Sequence, residues 1–197
     1  MQDFYLHYTY PIGRVHSLEP VAKWAAPEFE RLGIQYETFF NMKEVTQNTI
    51  ISEEGSEQAF DLLVTIPAHK GMQVIEDNGL GVSGFIATDR QRLNMEGRDN
   101  VFVLGDTTNI PISKAGSTAH YEAEVLAENV AALAESGIAP RNYDGKVFCF
   151  IETGEGKASY AMFDYQNPPD PKAPTAGVHW FKTAYNKMYW ASARGLL

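Results

Sequence analysis

Residues 100–129 constrain this chain more than any other stretch. Val101, Phe102, Val103 and Leu104 form a wholly apolar run, as in a strand buried on both faces. Gly105 and Asp106 then make a sharp turn, and after a short loop a helix opens at Lys114, Ala115 and Gly116. An ionised Asp offers acceptors only, so Asp106 at the end of a buried strand suits a ligand chain rich in hydroxyl donors, of the ribityl or ribose kind. The first N–H groups of the helix lack intrahelical partners and carry the positive end of its dipole. They favour an anionic or electron-rich group, which Gly116 lets approach the backbone and to which Lys114 adds a full positive charge. Taken alone, the same residues also read as an ordinary strand-to-helix turn with Asp106 near a cap position.

The flanks decide between these readings. Gly84, Phe85, Ile86, Ala87, Thr88 and Asp89 come first, then residues 100–106, then Ser113, Lys114, Ala115, Gly116 and Ser117, then an Ala-rich helix. This ordered set resembles the second half of the two-dinucleotide-binding-domain flavoproteins, the FAD-dependent pyridine nucleotide-disulfide oxidoreductases. Within that superfamily it most resembles the sulfide:quinone oxidoreductase family, from about Pro11 to the end of the chain. The resemblance implies an α/β fold: the C-terminal part of a Rossmann-like flavoprotein, with a C-terminal β-hairpin and an amphipathic helix. It implies residues 1–58 as the end of the second, nicotinamide-type domain, 59–138 as the C-terminal part of the FAD-binding domain, and 139–197 as the hairpin and a membrane-docking helix. It also implies FAD as cofactor, with Gly105, Asp106, Lys114, Ala115 and Gly116 in contact with it.

Composition narrows the function classes. A net charge of -9 lacks the basic stripe that a nucleic-acid surface needs. One cysteine, Cys149, excludes an intrachain disulfide and any multi-cysteine zinc or iron–sulfur site within the chain. His7, His16, His69, His120 and His179 show no metal-ligand spacing, so no metal site is expected, and no Ser-His-Asp ordering with an elbow motif is present. No stretch approaches the ~20 apolar residues of a membrane span, and no basic-then-apolar signal pattern opens the chain. Residues 3–10 read as a strand beginning just after Met1, and no GxGxxG follows a strand anywhere, although the resembled family opens with one. The chain is therefore expected to be the C-terminal half of a larger flavoprotein and inactive alone.

Local patterns predict the remaining elements. Ser17 is a candidate N-cap for a helix carrying Leu18, Val21, Ala25, Phe29 and Leu32, kinked or restarted at Pro27 and closed by Gly33. Residues 34–40, 44–47 and 49–52 read as short strands, and Glu53, Glu54, Gly55, Ser56 and Glu57 as a solvated acidic turn. Residues 61–66 read as a near-continuous apolar strand of a parallel sheet, ended by Pro67. Glycines at 71, 79, 81 and 84 predict loops around one short strand at 84–87, with Asp61 and Asp89 serving loops. The helix to Ser136 is expected to pack Ala119, Ala123, Leu126, Val130 and Leu133 on a sheet. Residues 147–151 and 158–165 are expected to pair as a hairpin across the glycine-rich residues 153–157. A Pro-rich linker at 168–174 leads to the last helix.

On its own Cys149 reads as a buried free thiol in an apolar strand. The resemblance implies a redox role instead, carried by the match at Cys149, Phe150, Ile151, Glu152, Thr153 and Gly154, with a partner cysteine outside this chain. It implies attack of hydrosulfide on that disulfide, electron transfer to the flavin, and then to a quinone. Trp180, Phe181, Tyr185, Met188 and Tyr189 lie near one helical face, with Lys182 and Lys187 placed to meet lipid phosphates. The face reads either as packed core or as a membrane interface, and a bilayer-dissolved quinone favours the second. The expectation is a peripheral, monotopic membrane association on an unspecified side and a homo-oligomeric full-length protein. Lys182 and Phe150, with Tyr160 and Phe163 as further walls, are expected near the quinone path. The alternatives are a type II NADH:quinone oxidoreductase, a flavocytochrome c sulfide dehydrogenase-like flavoprotein, and, from a different class, a non-catalytic scaffold with a degenerate flavin fold.

Overall fold

Near the start of the chain a β–α–β unit is built from β1 (His7–Tyr10), α1 (Glu19–Arg31) and β2 (Gln35–Thr38). The structure, a computed structural model, describes residues 4–194, so the part of the first predicted strand at Asp3 lies outside the described residues. β1 and β2 pair in parallel, His7 opposite Gln35 and Tyr10 opposite Thr38. Leu18, not Ser17, takes the N-cap position of α1, and a proline in the first turn costs no hydrogen bond there. Pro27 neither ends nor restarts the helix. Tertiary packing holds the turn that follows it: the Phe29 ring stands edge-on to Tyr8 at 5.1 Å and 6.1 Å from Tyr36.

An antiparallel meander follows, in the order β3 (Met42–Val45), β4 (Thr49–Ser52), β5 (Glu57–Ala59). Ile50 and Ser52 of the middle strand are buried. The acidic stretch makes the turn between β4 and β5 as expected, except that Glu57 already belongs to β5.

Residues 61–66 depart from expectation. They form no strand, and Leu62, Val64 and Ile66 are 83%, 87% and 83% exposed. An apolar strand of a parallel sheet is stable only between neighbours, and none lies beside it among the described residues. The predicted strands at 84–87 and 101–104 are likewise reduced to isolated bridges, Phe85 to Val82 and Ile86 to Thr108 in the first and Phe102 to Asn94 in the second. A one-turn helix, α2 (Gln73–Asp77), occupies a segment expected to be loop.

The chain divides into two compact units, Met1–Pro67 with Pro169–Pro171, and Ala68–Pro168 with Lys172–Leu197. The core of the second unit is Leu93, Ile110, Val125, Leu126 and Tyr143, with Phe102, Ile112, Tyr121 and Tyr165 packed on it. α3 (Gly116–Ser136) supplies two of these and ends at Gly137 in the left-handed region. Its buried residues are Thr118, Glu122, Val125, Leu126 and Asn129, whereas Ala123 and Val130 are exposed. The predicted face is thus turned, and the reason is polar. Asn129 bonds both the N–H and the carbonyl of Arg141 at 2.9 Å, and Glu122 reaches the backbone of Gly105, so two loops draw polar side chains inward.

The predicted hairpin forms from β6 (Val147–Gly154) and β7 (Lys157–Phe163), with Cys149 opposite Ala161 and Phe150 opposite Tyr160. Its two-residue loop, Glu155 and Gly156, has positive φ at both positions (54° and 69°), which matches the right-handed twist of the strands. α4 (Ala176–Ala193) packs against this hairpin.

Candidate functional site

The second unit gathers several of the sequence-predicted residues at the start of α3. Gly105 opens a single 3-10 turn, Gly105–Thr107, with φ +70°, and a Cβ there would meet the Ala119 methyl at 3.4 Å. Both sides of this turn are pinned. The Gly105 N–H donates to Glu122 Oε2 at 2.5 Å, and the Gly105 carbonyl accepts from Thr108 N–H at 3.2 Å and Thr108 Oγ1 at 3.1 Å. Asp106 itself is exposed, and its carboxylate accepts no hydrogen bond from the described residues.

Ala115 takes the N-cap of α3 in an extended conformation with no side-chain cap, so the first N–H groups are left open. Gly116 is exposed, and a Cβ there would meet nothing within 4 Å. Lys114 is partly committed: Nζ donates to the Thr108 carbonyl at 2.6 Å and lies 4.9 Å from the centre of the Phe85 ring. Burial pushes its pKa down, while the carboxylates of Asp106 and Glu122 pull the other way. An acceptor-only carboxylate, uncapped helix N–H donors and a cation thus share one place with open space beside it. That donor set suits a ligand with hydroxyls at one part and an electron-rich group at another.

Cys149 is a half-buried free thiol, and burial pushes its pKa up. The residue before it ties this strand to the same helix start, because the Phe148 N–H donates to Ser117 Oγ at 3.4 Å. The raised pKa carries a prediction. In this single-cysteine chain, iodoacetamide should alkylate Cys149 more slowly than a free cysteine at pH 8, and the rate should climb by about tenfold per pH unit until the thiolate dominates above the usual thiol range. Mass-spectrometric alkylation rates between pH 7 and 10 check this. A rate at or above that of free cysteine would show that the α3 N-terminus outweighs burial.

On the other face of the hairpin, Phe150 lies 5.9 Å from Phe181 and 6.5 Å from Tyr185 of α4, and Phe148 stacks on Tyr160 at 5.5 Å. Phe163, expected as a further wall, pairs with Val147, two residues before Cys149, and strand alternation therefore places it on the Cys149 face, away from Phe150 and Tyr160. Glu152 clasps α4 with both oxygens, Oε2 at 3.1 Å from His179 Nδ1 and Oε1 at 3.2 Å from Lys182 Nζ. These partners hold its carboxyl below the usual range, His179 most. Trp180, Phe181, Tyr185, Met188, Tyr189 and Trp190 are all at least half exposed. Two residues of this region escape sequence reasoning. Glu122 has its signal in falling three residues after Ala119, on the small-residue face of α3. Glu152 has its signal only in lying within the Cys149 motif.

The chain has an α/β fold similar to that of solved FAD-dependent pyridine nucleotide-disulfide oxidoreductases. A solved enzyme of that description from Desulfovibrio vulgaris matches with a TM-score of 0.53 and 15% identity over 80% of this chain and 42% of its own. The sulfide:quinone oxidoreductase of Aquifex aeolicus matches with a TM-score of 0.78 and 17% identity, covering 96% of this chain and 50% of that one. A chain in the Tetrahymena thermophila mitochondrial ATP synthase matches with a TM-score of 0.68 and 23% identity, over 81% of this chain and 40% of that one.

In sequence, the chain is similar to the mitochondrial sulfide:quinone oxidoreductases of Schizosaccharomyces pombe and Dictyostelium discoideum. Each is 31% identical, over 57% and 58% of this chain. The chain spans about a quarter of the length of the curated relatives it matches, 25% and 26%. No family model matches.

Proposed function

We propose that this chain is the C-terminal half of an FAD-dependent sulfide:quinone oxidoreductase. The observation that carries the reading is the hydrogen bond from Phe148 N–H to Ser117 Oγ, which sets the strand of Cys149 against the first turn of α3, beside Gly105 and Asp106. Asp106 receives ribityl hydroxyls. The open N–H groups around Gly116, with Lys114, hold negative charge at the pyrimidine end of the ring. When bound, the flavin supplies the two-electron transfer between sulfur and quinone.

Cys149 forms one half of a disulfide whose other cysteine lies outside this chain. Hydrosulfide attacks one sulfur; the S–S bond breaks, one cysteine carries a persulfide and the other leaves as thiolate. Burial raises the Cys149 pKa, so the thiolate needs a stabilising partner charge, which the rest of the full-length site supplies. Phe150, Tyr160, Phe181 and Tyr185 form aromatic walls on which a quinone ring stacks, and Lys182, oriented by Glu152, faces its carbonyls.

α4 rests on a membrane surface. Among the described residues no helix is long and apolar enough to cross one, whereas the exposed Trp180, Trp190 and Tyr189 suit an interface. Replacing Trp180 and Trp190 together by alanine should weaken binding of the full-length protein to phospholipid vesicles by about tenfold or more, read by flotation, since each indole buries considerable apolar area. Unchanged flotation would return α4 to a protein interface.

The test of function is an anaerobic sulfide titration of the full-length protein, following the flavin absorbance, with NADH in parallel. Bleaching by sulfide and recovery with a quinone is the expected result. Bleaching by NADH alone would make the protein a type II NADH:quinone oxidoreductase. A second reading is favoured by the likeness to a chain of the Tetrahymena thermophila ATP synthase. It makes the protein a non-catalytic partner in a larger assembly, with a degenerate flavin fold, and a full-length protein that releases no FAD on denaturation would establish it.

A further inference from the structure

Glu122 is wholly buried on α3. Its Oε2 accepts the Gly105 N–H, while its Oε1 has no hydrogen-bond partner among the described residues. A buried carboxyl with one oxygen unsatisfied costs stability, and a methionine of similar length would cost less. What the carboxyl provides in return is a single bond, to the residue immediately before Asp106. With Thr108 holding the Gly105 carbonyl, that bond fixes the peptide on both sides and leaves the Asp106 side chain as the free group of the turn.

We propose that Glu122 is the positioning residue of this turn: by holding the Gly105 N–H it sets the direction of the Asp106 carboxylate, and it acts on FAD only through Asp106. The role rests on the flavin-binding reading given above. Glu122 lies in the field of Lys114 and Asp106 on one side and of Tyr143 and Tyr165 on the other. Burial pushes its carboxyl up, so it needs no ion pair to remain there, and an amide oxygen serves the Gly105 N–H equally well. The required property is an acceptor at that distance, not a charge.

Three variants of the full-length protein test this: Glu122→Met, Glu122→Gln and Glu122→Asp. FAD dissociation is measured by fluorescence, and backbone exchange of the peptide spanning residues 101–108 by mass spectrometry. E122M should weaken FAD by about tenfold or more and speed exchange of that peptide, while E122Q should restore both to within about threefold of the wild type. In an Asp106→Ala background, E122M should cost no further FAD affinity, because its effect passes through the carboxylate already removed.

An E122M protein that binds FAD as the wild type does overturns the role. So does a loss that adds fully to that of D106A, which a general loosening of the core would give. Should E122M fail to fold, E122D, one methylene too short to reach Gly105, is read against the same outcomes. A wild-type protein that binds no FAD overturns the flavin reading and this role with it. Failure of the role alone differs, because there the wild type and E122M bind equally well.

Discussion

Replacing Cys149 by serine in the full-length protein is expected to lower the rate of flavin reduction by sulfide by roughly three orders of magnitude or more, and to leave reduction by dithionite untouched. A serine oxygen forms no disulfide, so the sulfur that hydrosulfide must attack is gone, and loss of a nucleophilic partner typically costs far more than any packing effect. The structural cost is small by comparison. Cys149 is half-buried opposite Ala161, and exchanging a thiol for a hydroxyl there costs on the order of 1–2 kcal/mol. Cys149→Ala separates the two effects, because it removes the thiol without burying a hydroxyl. Anaerobic stopped-flow traces of flavin absorbance make the measurement. If both variants reduce at the wild-type rate, Cys149 is a packing residue.

The second large effect is expected at Asp106. Its carboxylate is exposed and accepts no hydrogen bond from the described residues, so Asp106→Ala should leave the melting temperature of the cofactor-free protein nearly unchanged, within about 0.5 kcal/mol of stability. FAD retention should nevertheless fall by about 10- to 100-fold, the range that charge-assisted hydrogen bonds of roughly 1.5–3 kcal/mol provide. Asp106→Asn, which keeps one acceptor and loses the charge, should fall between. Fluorescence of released FAD against protein concentration, beside a thermal melt, reads both quantities. A melt that collapses with the affinity would make Asp106 a structural cap instead.

Some of this was legible in the sequence because it is local. The hairpin of β6 and β7 is legible because alternating apolar runs flank a glycine-rich loop, and α3 because Gly116 and Gly137 bracket an Ala-rich period. The cluster of Gly105, Asp106, Lys114 and Gly116 is close in sequence, so its meeting in space follows from one turn and one helix start. Residues 61–66 and 101–104 mislead for the opposite reason. Their apolar runs carry the pattern of buried parallel strands, but the strand state depends on neighbours that an apolar run does not specify. Glu122 escaped notice because a carboxylate in a helix is ordinarily a surface residue. Only the Gly105 N–H, distant by one loop and bonded to Glu122 Oε2, explains why it points inward.

The bare ribbon of Leu62, Val64 and Ile66 has a bearing on how such a protein is made. Side chains this apolar and this exposed attract other apolar surface, and a backbone that pairs with no strand among the described residues is open to pairing with one from elsewhere. If strands that pair with residues 61–66 are encoded upstream of them, the ribosome delivers those strands first, and the ribbon meets its partners at once. Reversing that order by circular permutation would leave the ribbon waiting, and yield in the soluble fraction would then depend on chaperones.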